Sequence, residues 1–321
     1  MEEKTLSSTI FGGCIIKSGK YVFFGLIDAL PADENNHALI TLASGGMYKY
    51  SIRDQRLESI CIDRGAKSAR IAVLPMFDTV VGVYDEELVW IRDEDYSSED
   101  SGLGTSVKKI NENLYVTRLN GCVYKRTNNE WESFSDGIAS VSLTEFEKTG
   151  KSTVEAIFDM ARASTDLTYI NGEGRSLYAV GLSGEVFKYH NCKWRPITSG
   201  TKSKLTSIAP ISEKEFILTG HYGYLARMKN DFPELIVHNI DDSFNCSAIL
   251  NGVVFVGGYK GLYKIHENNI TQIFEFEESE FNCLALDSFE DELLIVSERW
   301  FCIYKNNKWE RTVLPGNRKY A

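Results

Sequence analysis

Hydrophobic and polar residues alternate along most of this chain in short runs, a period-two pattern typical of half-buried β-strands. The clearest phrase is "GCVYKRTNNEW" (121–131), two short runs around a polar turn, which returns as "GEVFKYHNCKW" (184–194). Weaker copies, "GLYKIHENNI" and "FCIYKNNKW", follow towards the C-terminus. The density of Val, Ile, Tyr and Phe in these runs favours strands over helices. We therefore predict an all-β protein built from repeated hairpins.

The repeated phrase carries a marker position that recurs about every 40 residues. We assign this position to the third strand, C, of a four-stranded unit A to D, and find it at Tyr48, Trp90, Tyr124, Phe187, Ala226, Tyr263 and Tyr304. Four strands in each unit of this length are the signature of a β-propeller blade. The sequence thus predicts a single domain over 1–321, a seven-bladed β-propeller, with six or eight blades as alternatives.

Two parts of the ring are irregular. The first unit holds one strand-like run too many, and we expect an inserted loop at 28–37. The last blade can be completed by the segment 4–10 or by "KWERTVL" (308–314), and the sequence leaves both open.

The long step between Tyr124 and Phe187 indicates an insertion at 137–165. Within it, Ser152 and Glu155 have the spacing of a capping box, and apolar residues follow at helical spacing: Val154, Ile157, Phe158 and Ala161. This pattern predicts one short amphipathic helix over 152–164, lying on the propeller.

One blade carries a family resemblance. The stretch "LYAVGLSGEVFKYHNCKWRPI" (177–197) resembles bacterial propeller repeats of the YVTN, BNR and two-component-regulator groups, in which a Tyr-Ala-Val-Gly strand and a Gly turn precede a closing Trp. The resemblance implies the fold more than a function. Sialidase Asp-boxes, WD repeats and Kelch repeats fit poorly, since "SFSDGIAS" lacks the Asp-box Trp and "VGGYKGLY" is a single partial echo of Kelch.

Composition excludes several classes of function. The 321 residues carry a formal net charge of -10, which argues against a general nucleic-acid binder. No apolar run is long enough for a membrane span and the N-terminus has no secretory pattern, so we expect a cytoplasmic protein with no membrane partner. The seven cysteines are scattered and never form CxxC, so we expect neither disulfides nor a metal site.

The sequence contains no catalytic motif and no phosphate cradle. We therefore predict no catalytic residue, no cofactor and a non-enzymatic role. The alternative is a propeller enzyme, a lyase or glycan hydrolase, whose groups converge at the mouth of the central channel. His221, in "GHYGYL", is the only histidine that we expect there. A lectin is less favoured, because the turns of the units are unequal.

Acidic and aromatic residues collect in particular connections. In a propeller the D-to-A and B-to-C connections open on one face, and the A-to-B and C-to-D turns on the other. To the first face we assign a protein-binding set: Asp85, Glu86, Tyr222, Asp241, Asp242, Tyr259, Glu277, Glu278, Glu298 and Trp300. The loop "RDEDYSSED" (92–100) we assign to the second face. Exposed rings with carboxylates suit a basic protein partner, and we predict a monomeric immunity- or antitoxin-like inhibitor of such a partner, for example a bacterial toxin.

Overall fold

Seven antiparallel sheets of four strands each form a ring in this computed structural model. The structure describes residues 8–28, 36–43, 47–64, 68–96, 103–139, 165–273, 281–314 and 317. Each sheet takes its four strands from one continuous stretch of chain and keeps them in chain order. The prediction of an all-β, seven-bladed propeller is therefore confirmed.

The strands alternate in direction within each blade, from the innermost A to the outermost D. In chain order, four to a blade, they are β1 (Ser8–Lys17), β2 (Lys20–Ile27), β3 (Asn36–Ala43), β4 (Met47–Asp54); β5 (Leu57–Arg64), β6 (Ala69–Pro75), β7 (Val80–Tyr84), β8 (Trp90–Asp95); β9 (Gly104–Ile110), β10 (Asn113–Arg118), β11 (Val123–Thr127), β12 (Glu130–Ser133); β13 (Leu167–Glu173), β14 (Ser176–Gly181), β15 (Val186–His190), β16 (Lys193–Ile197); β17 (Leu205–Ser212), β18 (Glu215–Gly220), β19 (Leu225–Lys229), β20 (Phe232–Leu235); β21 (Phe244–Leu250), β22 (Val253–Gly258), β23 (Leu262–His266), β24 (Asn269–Gln272); β25 (Ala285–Phe289), β26 (Glu292–Val296), β27 (Trp300–Lys305) and β28 (Lys308–Val313).

The hydrophobic core is divided among the junctions between blades. Each apolar cluster joins side chains of two neighbouring blades, and one cluster joins the first blade to the last through Phe23 and Phe301, whose rings lie 4.8 Å apart. A single blade would leave both faces of its sheet in water, so burial of apolar area drives the sheets to stack around the ring.

A polar ladder reinforces the same junctions around the channel. At one position of strand A, Thr168 donates to the Leu205 carbonyl at 2.6 Å and Thr206 to the Phe244 carbonyl at 2.7 Å. Asn245 does the same to the carbonyl of Cys283, at 3.1 Å. Side chains of one blade thus satisfy backbone groups of the next where the sheets are closest together.

The ring closes without exchange of a strand. The segment "KWERTVL" supplies the outer strand of blade 7 as β28, whereas Ser8 to Ile10 begin the inner strand of blade 1. The Asn317 side chain accepts a hydrogen bond from the Ser8 amide at 2.8 Å and donates one to the Ser8 carbonyl at 2.7 Å. The Ile10 amide donates to the Glu298 carbonyl at 2.7 Å. Paired backbone groups and the apolar cluster therefore join the two ends of the chain.

The assignment of strands in the first two blades was wrong by one strand. Tyr48 and Trp90 lie in the outer strands β4 and β8, not in strand C. The run that looked surplus is β3, an ordinary third strand, and residues 36 and 37 of the expected loop belong to it. Strands C and D carry the same alternation, so a shift by one strand left the repeat length unchanged and gave no signal.

The predicted helix over 152–164 lies outside the described residues, as does most of the insertion 137–165. The insertion connects β12 to β13, which makes it a D-to-A connection. The described part of the chain contains no α-helix and thus none able to cross a membrane.

His37 makes the junction of blades 1 and 2 sensitive to acid. Its Nδ1 accepts the Leu57 amide at 3.0 Å, and burial, aided by Arg56, lowers the pKa of His37 to about 4. The unfolded chain binds this proton below about pH 6.5, so the stability that neutral His37 contributes is complete above that pH and is lost as the pH falls towards 4. We measure the free energy of unfolding in urea at pH 7 and at pH 5. Between these pH values wild type should lose about 2 kcal/mol more of it than His37→Asn, a variant that keeps an acceptor but does not titrate. Equal losses would contradict this role.

Candidate protein-binding face and central channel

The order of strands fixes which connections share a face. We call the side with the D-to-A and B-to-C connections the upper face, and the side with the A-to-B and C-to-D turns the lower face. Asp85 and Glu86 follow β7, a C strand, so they lie on the lower face, and their assignment to the first set was wrong. Residues 92–95 of "RDEDYSSED" belong to β8, a D strand, and not to a C-to-D turn, so the assignment of this loop to the second face was wrong; residues 97–100 lie outside the described residues.

The acids of the lower turn join two blades. Glu86 pairs with Lys17 at 2.6 Å, and Glu87 pairs with Lys20 at 2.7 Å and with Lys49. Hydrogen bonds from these lysines lower the pKa of Glu86 and hold that of Glu87 at about 2. Asp85 shapes the turn by accepting the amides of Glu87 and Val89. These carboxylates therefore have partners within the chain.

Asp242 is a structural residue beneath the upper face. It is only 5% exposed and accepts the amides of Ser243 at 2.7 Å, Tyr259 at 2.9 Å and Lys260 at 2.9 Å. The hydroxyl of Tyr263 donates to its second oxygen at 2.9 Å. One carboxylate thus ties the D-to-A connection before β21 to the B-to-C turn of blade 6. As a buried group it is not available for direct contact with a partner.

Trp300 is also buried, at 5% exposure. The ring of Phe281 lies 5.6 Å from it, and the guanidinium of Arg311 lies 4.3 Å from the centre of the indole. Trp300 packs blade 7 and offers little surface to a partner. This burial could not be predicted from the sequence, because an aromatic residue in a turn is compatible with either environment.

Two of the predicted tyrosines are exposed together on blades 5 and 6. The side chains of Tyr222 and Tyr259 are 87% and 48% exposed, and both backbone amides donate to Ser243, at 3.0 and 3.3 Å. The His221 ring lies between them, 6.3 Å from one ring and 6.5 Å from the other. The structure therefore brings these two members of the predicted set to one place.

Two apolar residues that the sequence reasoning missed extend this surface. Leu235 and Val237, at the end of β20 and just beyond, are 60% and 90% exposed. The neighbouring His238 contacts the Gly223 carbonyl at 3.0 Å, which places this segment beside the Tyr222 turn. We call Tyr222, Tyr259, Leu235 and Val237 the tyrosine patch. A signal was present in "PELIVHN", where three consecutive apolar residues break the alternation of a strand, so that they cannot all point into the core.

Tyr222 occupies a backbone conformation that bulky residues avoid. In the turn His221 to Tyr224, φ is 57° at Tyr222 and 70° at Gly223, and Tyr224 N donates back to the His221 carbonyl at 3.2 Å. This is a type I′ turn, whose first central position favours Asn. The corresponding turn of blade 3 has Asn120 there, with φ of 92°. Left-handed backbone costs a bulky residue about 1–2 kcal/mol, and such strain is concentrated at functional sites.

The remaining predicted acids have mixed surroundings. Asp241 is fully exposed and pairs with Lys260 at 2.8 Å, a contact that lowers the pKa of its carboxyl group. Glu298 accepts the Asn282 side chain at 3.3 Å. Glu277 and Glu278 lie outside the described residues, and their place in a D-to-A connection remains a prediction.

The central channel is open and polar. A cavity of about 450 Å³ is lined by strand A or its leading residues from all seven blades, and Glu58, Lys204, His221 and Tyr259 lie at its upper end. Burial raises the pKa of Glu58, although the charges of Arg56 and Lys204 act in the opposite direction. Burial lowers the pKa of His221, and the charge of Lys204 lowers it further. His221 thus lines the channel, as its B-to-C turn predicts. A carboxyl group with a raised pKa and an imidazole with a lowered pKa therefore line one open cavity, and titratable groups shifted in this way are candidates for proton transfer.

Deeper in the channel, Lys108 and Asp287 lie where three cavities meet. Besides the upper cavity, spaces of about 270 and 200 Å³ are lined by both residues. Within the described ranges no group of three or more His, Cys, Asp or Glu side chains is arranged to hold a metal ion.

Comparison with solved structures shows the fold alone. The chain superposes on the WD40 propeller domain of Doa1 with a TM-score of 0.68 at 8% identity, over 92% of this chain and 91% of that one. For virginiamycin B lyase from Staphylococcus aureus the TM-score is 0.62 at 9% identity, and the superposition covers 82% of this chain and 86% of that one. For YCF48, solved with a bound D1 peptide, the TM-score is 0.61 at 14% identity, over 91% of each chain.

One curated relative has a detectable sequence match. The immune protein Tsi7 of Pseudomonas aeruginosa is 26% identical over 144 residues, which cover 44% of this chain and 47% of Tsi7. The match therefore spans about half of either protein. No family model matches the chain, so the resemblance to YVTN, BNR and regulator repeats remains an expectation beyond the level of the propeller.

Proposed function

We propose that this chain is an immunity-type protein that binds a toxin protein through the tyrosine patch and neutralises it in the cytoplasm. The observation that carries the proposal is the match to the immune protein Tsi7 over 144 residues. Immunity by direct binding needs a rigid surface and no catalysis, and a seven-bladed ring with exposed rings on its upper face has such a surface.

The tyrosine patch has the chemistry of an interface centre. Tyr222 and Tyr259 are rigid amphipathic rings whose backbones are held by Ser243, so little conformational entropy is lost on binding. Leu235 and Val237 add apolar area beside them. YCF48 is a propeller of the same architecture that binds a peptide, so the fold is compatible with this use.

In this proposal the partner is basic and the propeller binds it as a monomer. The formal charge of -10 attracts cationic proteins over a distance. On the upper face, Asp241 is fully exposed next to the tyrosine patch, and the sequence predicts Glu277 and Glu278 in the next D-to-A connection. Such charges act mainly on the rate of association and on its dependence on salt.

Titration calorimetry with the protein encoded beside this chain in its source genome, made as an inactive variant, tests the proposal. We expect a one-to-one complex whose affinity falls at least about tenfold between low and high salt, because salt screens complementary charges. Glu86→Gln, on the lower face, should leave the affinity unchanged. Absence of a complex would contradict the proposal. A loss of affinity in Glu86→Gln would contradict binding through the upper face.

A second candidate is an enzyme at the mouth of the channel, a lyase or glycan hydrolase. It is favoured by one observation: Glu58, with a raised pKa, and His221, with a lowered pKa, line the same open cavity. In this case Glu58→Gln abolishes turnover of a substrate and leaves the titration with the toxin unchanged, which separates the two functions.

A further inference from the structure

Lys108 places a positive charge in the middle of the channel. It belongs to β9, the inner strand of blade 3, and it lines all three cavities that meet there. Burial alone would lower the pKa of Lys108, but Tyr169, Cys14 and Asp287 outweigh it, so the pKa lies above its ordinary value. The ammonium group is therefore charged at neutral pH.

This charge has no matching carboxylate in direct contact. Among the described residues, no Asp or Glu oxygen lies within 4.0 Å of Lys108 Nζ. Its neighbour is Tyr169, whose ring centre lies 5.0 Å from Nζ. A half-buried ammonium group that lacks an ion-pair partner favours an anion from outside the chain.

Asp287 lies near Lys108 but is not in direct contact with it. Its Oδ2 is engaged by the Ile15 amide at 2.8 Å, and burial raises the pKa of its carboxyl group. Arg64 adds a second cation below: its guanidinium donates to the Ile15 carbonyl at 2.5 Å and it lines the lower cavity. The lower cavity is lined by three cations, Arg64, Lys108 and Lys109, and by two carboxylates, Glu112 and Asp287.

An unsatisfied hydroxyl group points to a ligand at the same level. Ser106, two residues before Lys108 on β9, is 2% exposed, and its Oγ has no hydrogen-bond partner within the described structure. It lines the upper cavity, which Lys204 also lines at the entrance. A buried hydroxyl group without a hydrogen-bond partner destabilises the fold, so an occupant that hydrogen-bonds to Ser106 removes that penalty.

From these positions we propose that the central channel binds a small molecule with an oxyanion group, a phosphate or a carboxylate. Lys108 pairs with the anion, Tyr169 and Ser106 hydrogen-bond to it, and Lys204 attracts it at the entrance. The cavity of about 450 Å³ has the volume of a site for a metabolite-sized molecule. Lys108 and Ser106 lie deeper in the channel than the tyrosine patch, although Tyr259 of that patch lines the upper end of the same cavity. The proposal does not depend on the proposed function.

Calorimetric titration of the full chain with inorganic phosphate, with citrate and with glucose as neutral probe tests the site. We expect saturable binding of phosphate or citrate but not of glucose, and the better of the two identifies the group. Lys108→Met should weaken that binding at least about tenfold, since it removes a charge-assisted hydrogen bond. Ser106→Ala should weaken it less.

Two controls separate loss of the site from loss of the fold. Lys108→Arg keeps the charge and should keep measurable binding, and Lys193→Met removes an exposed lysine of blade 4 and should change nothing. The thermal midpoint of each variant is measured alongside. Absence of saturable binding, equal binding of glucose, or unchanged binding in a folded Lys108→Met protein would overturn the proposal.

Discussion

Replacing Asp242 by alanine is expected to lower the free energy of unfolding by about 3 kcal/mol, because four donors lose a buried charged acceptor at once. The amides of Ser243, Tyr259 and Lys260 and the hydroxyl of Tyr263 all converge on this carboxylate. Urea unfolding, followed by the circular dichroism of the sheets, measures the loss.

Asp241 offers a matched control one residue away. Its side chain is fully exposed and pairs only with Lys260 among the contacts described, so Asp241→Ala should leave the unfolding midpoint unchanged. The stability of Asp242→Asn should lie between those of wild type and Asp242→Ala. The amide oxygen of asparagine replaces one carboxylate oxygen as an acceptor, but its NH₂ group faces a donor. If Asp241→Ala and Asp242→Ala are equally stable, Asp242 does not have the structural role that its burial indicates.

Replacing Tyr222 by asparagine is expected to weaken toxin binding about a hundredfold and to stabilise the free propeller by about 1 kcal/mol. The first effect is the loss of a rigid, exposed ring at the centre of the patch, where truncation typically costs 2 kcal/mol or more. The second follows because Asn tolerates the left-handed backbone that Tyr222 is forced to adopt. Blade 3 already has Asn at the corresponding position, Asn120.

The opposite signs of these two effects make the variant informative. A variant that loses binding because it unfolds would lose stability as well, whereas Tyr222→Asn should gain it. The control is Phe232→Ser, which removes a ring that is 71% exposed at the lower end of β20 and should leave affinity unchanged. Unchanged affinity in Tyr222→Asn would contradict the role of the patch, and unchanged stability would contradict the strain at this turn.

The repeat made the architecture predictable from sequence. Every blade needs apolar strands at the same spacing to pack against its neighbours, so the hydrophobic pattern indicates the number of blades. The position of a strand within its blade was less secure, since strands C and D have the same period. That ambiguity moved Asp85 and Glu86 to the wrong face, whereas Tyr222 and Tyr259, from blades with clear markers, were placed correctly.

Burial of single polar residues could not be read from the chain. Asp241 and Asp242 are adjacent and identical in type, yet one is fully exposed and the other is 5% exposed. What distinguishes them is the B-to-C turn of blade 6, whose Tyr259 and Lys260 amides lie some 17 residues along the chain from Asp242 and face it only after folding. Lys108 was missed for the same reason, because the channel exists only when seven inner strands meet.

Survival of cells that produce the active toxin tests the central claim most directly. The toxin encoded beside this chain is expressed together with wild type, with Phe232→Ser, or with the double variant Tyr222→Asn and Tyr259→Ser, at equal levels of folded protein. We predict growth with wild type and with Phe232→Ser, and arrest with the double variant. Arrest with wild type, or equal growth with the double variant, would contradict neutralisation of a toxin through the tyrosine patch.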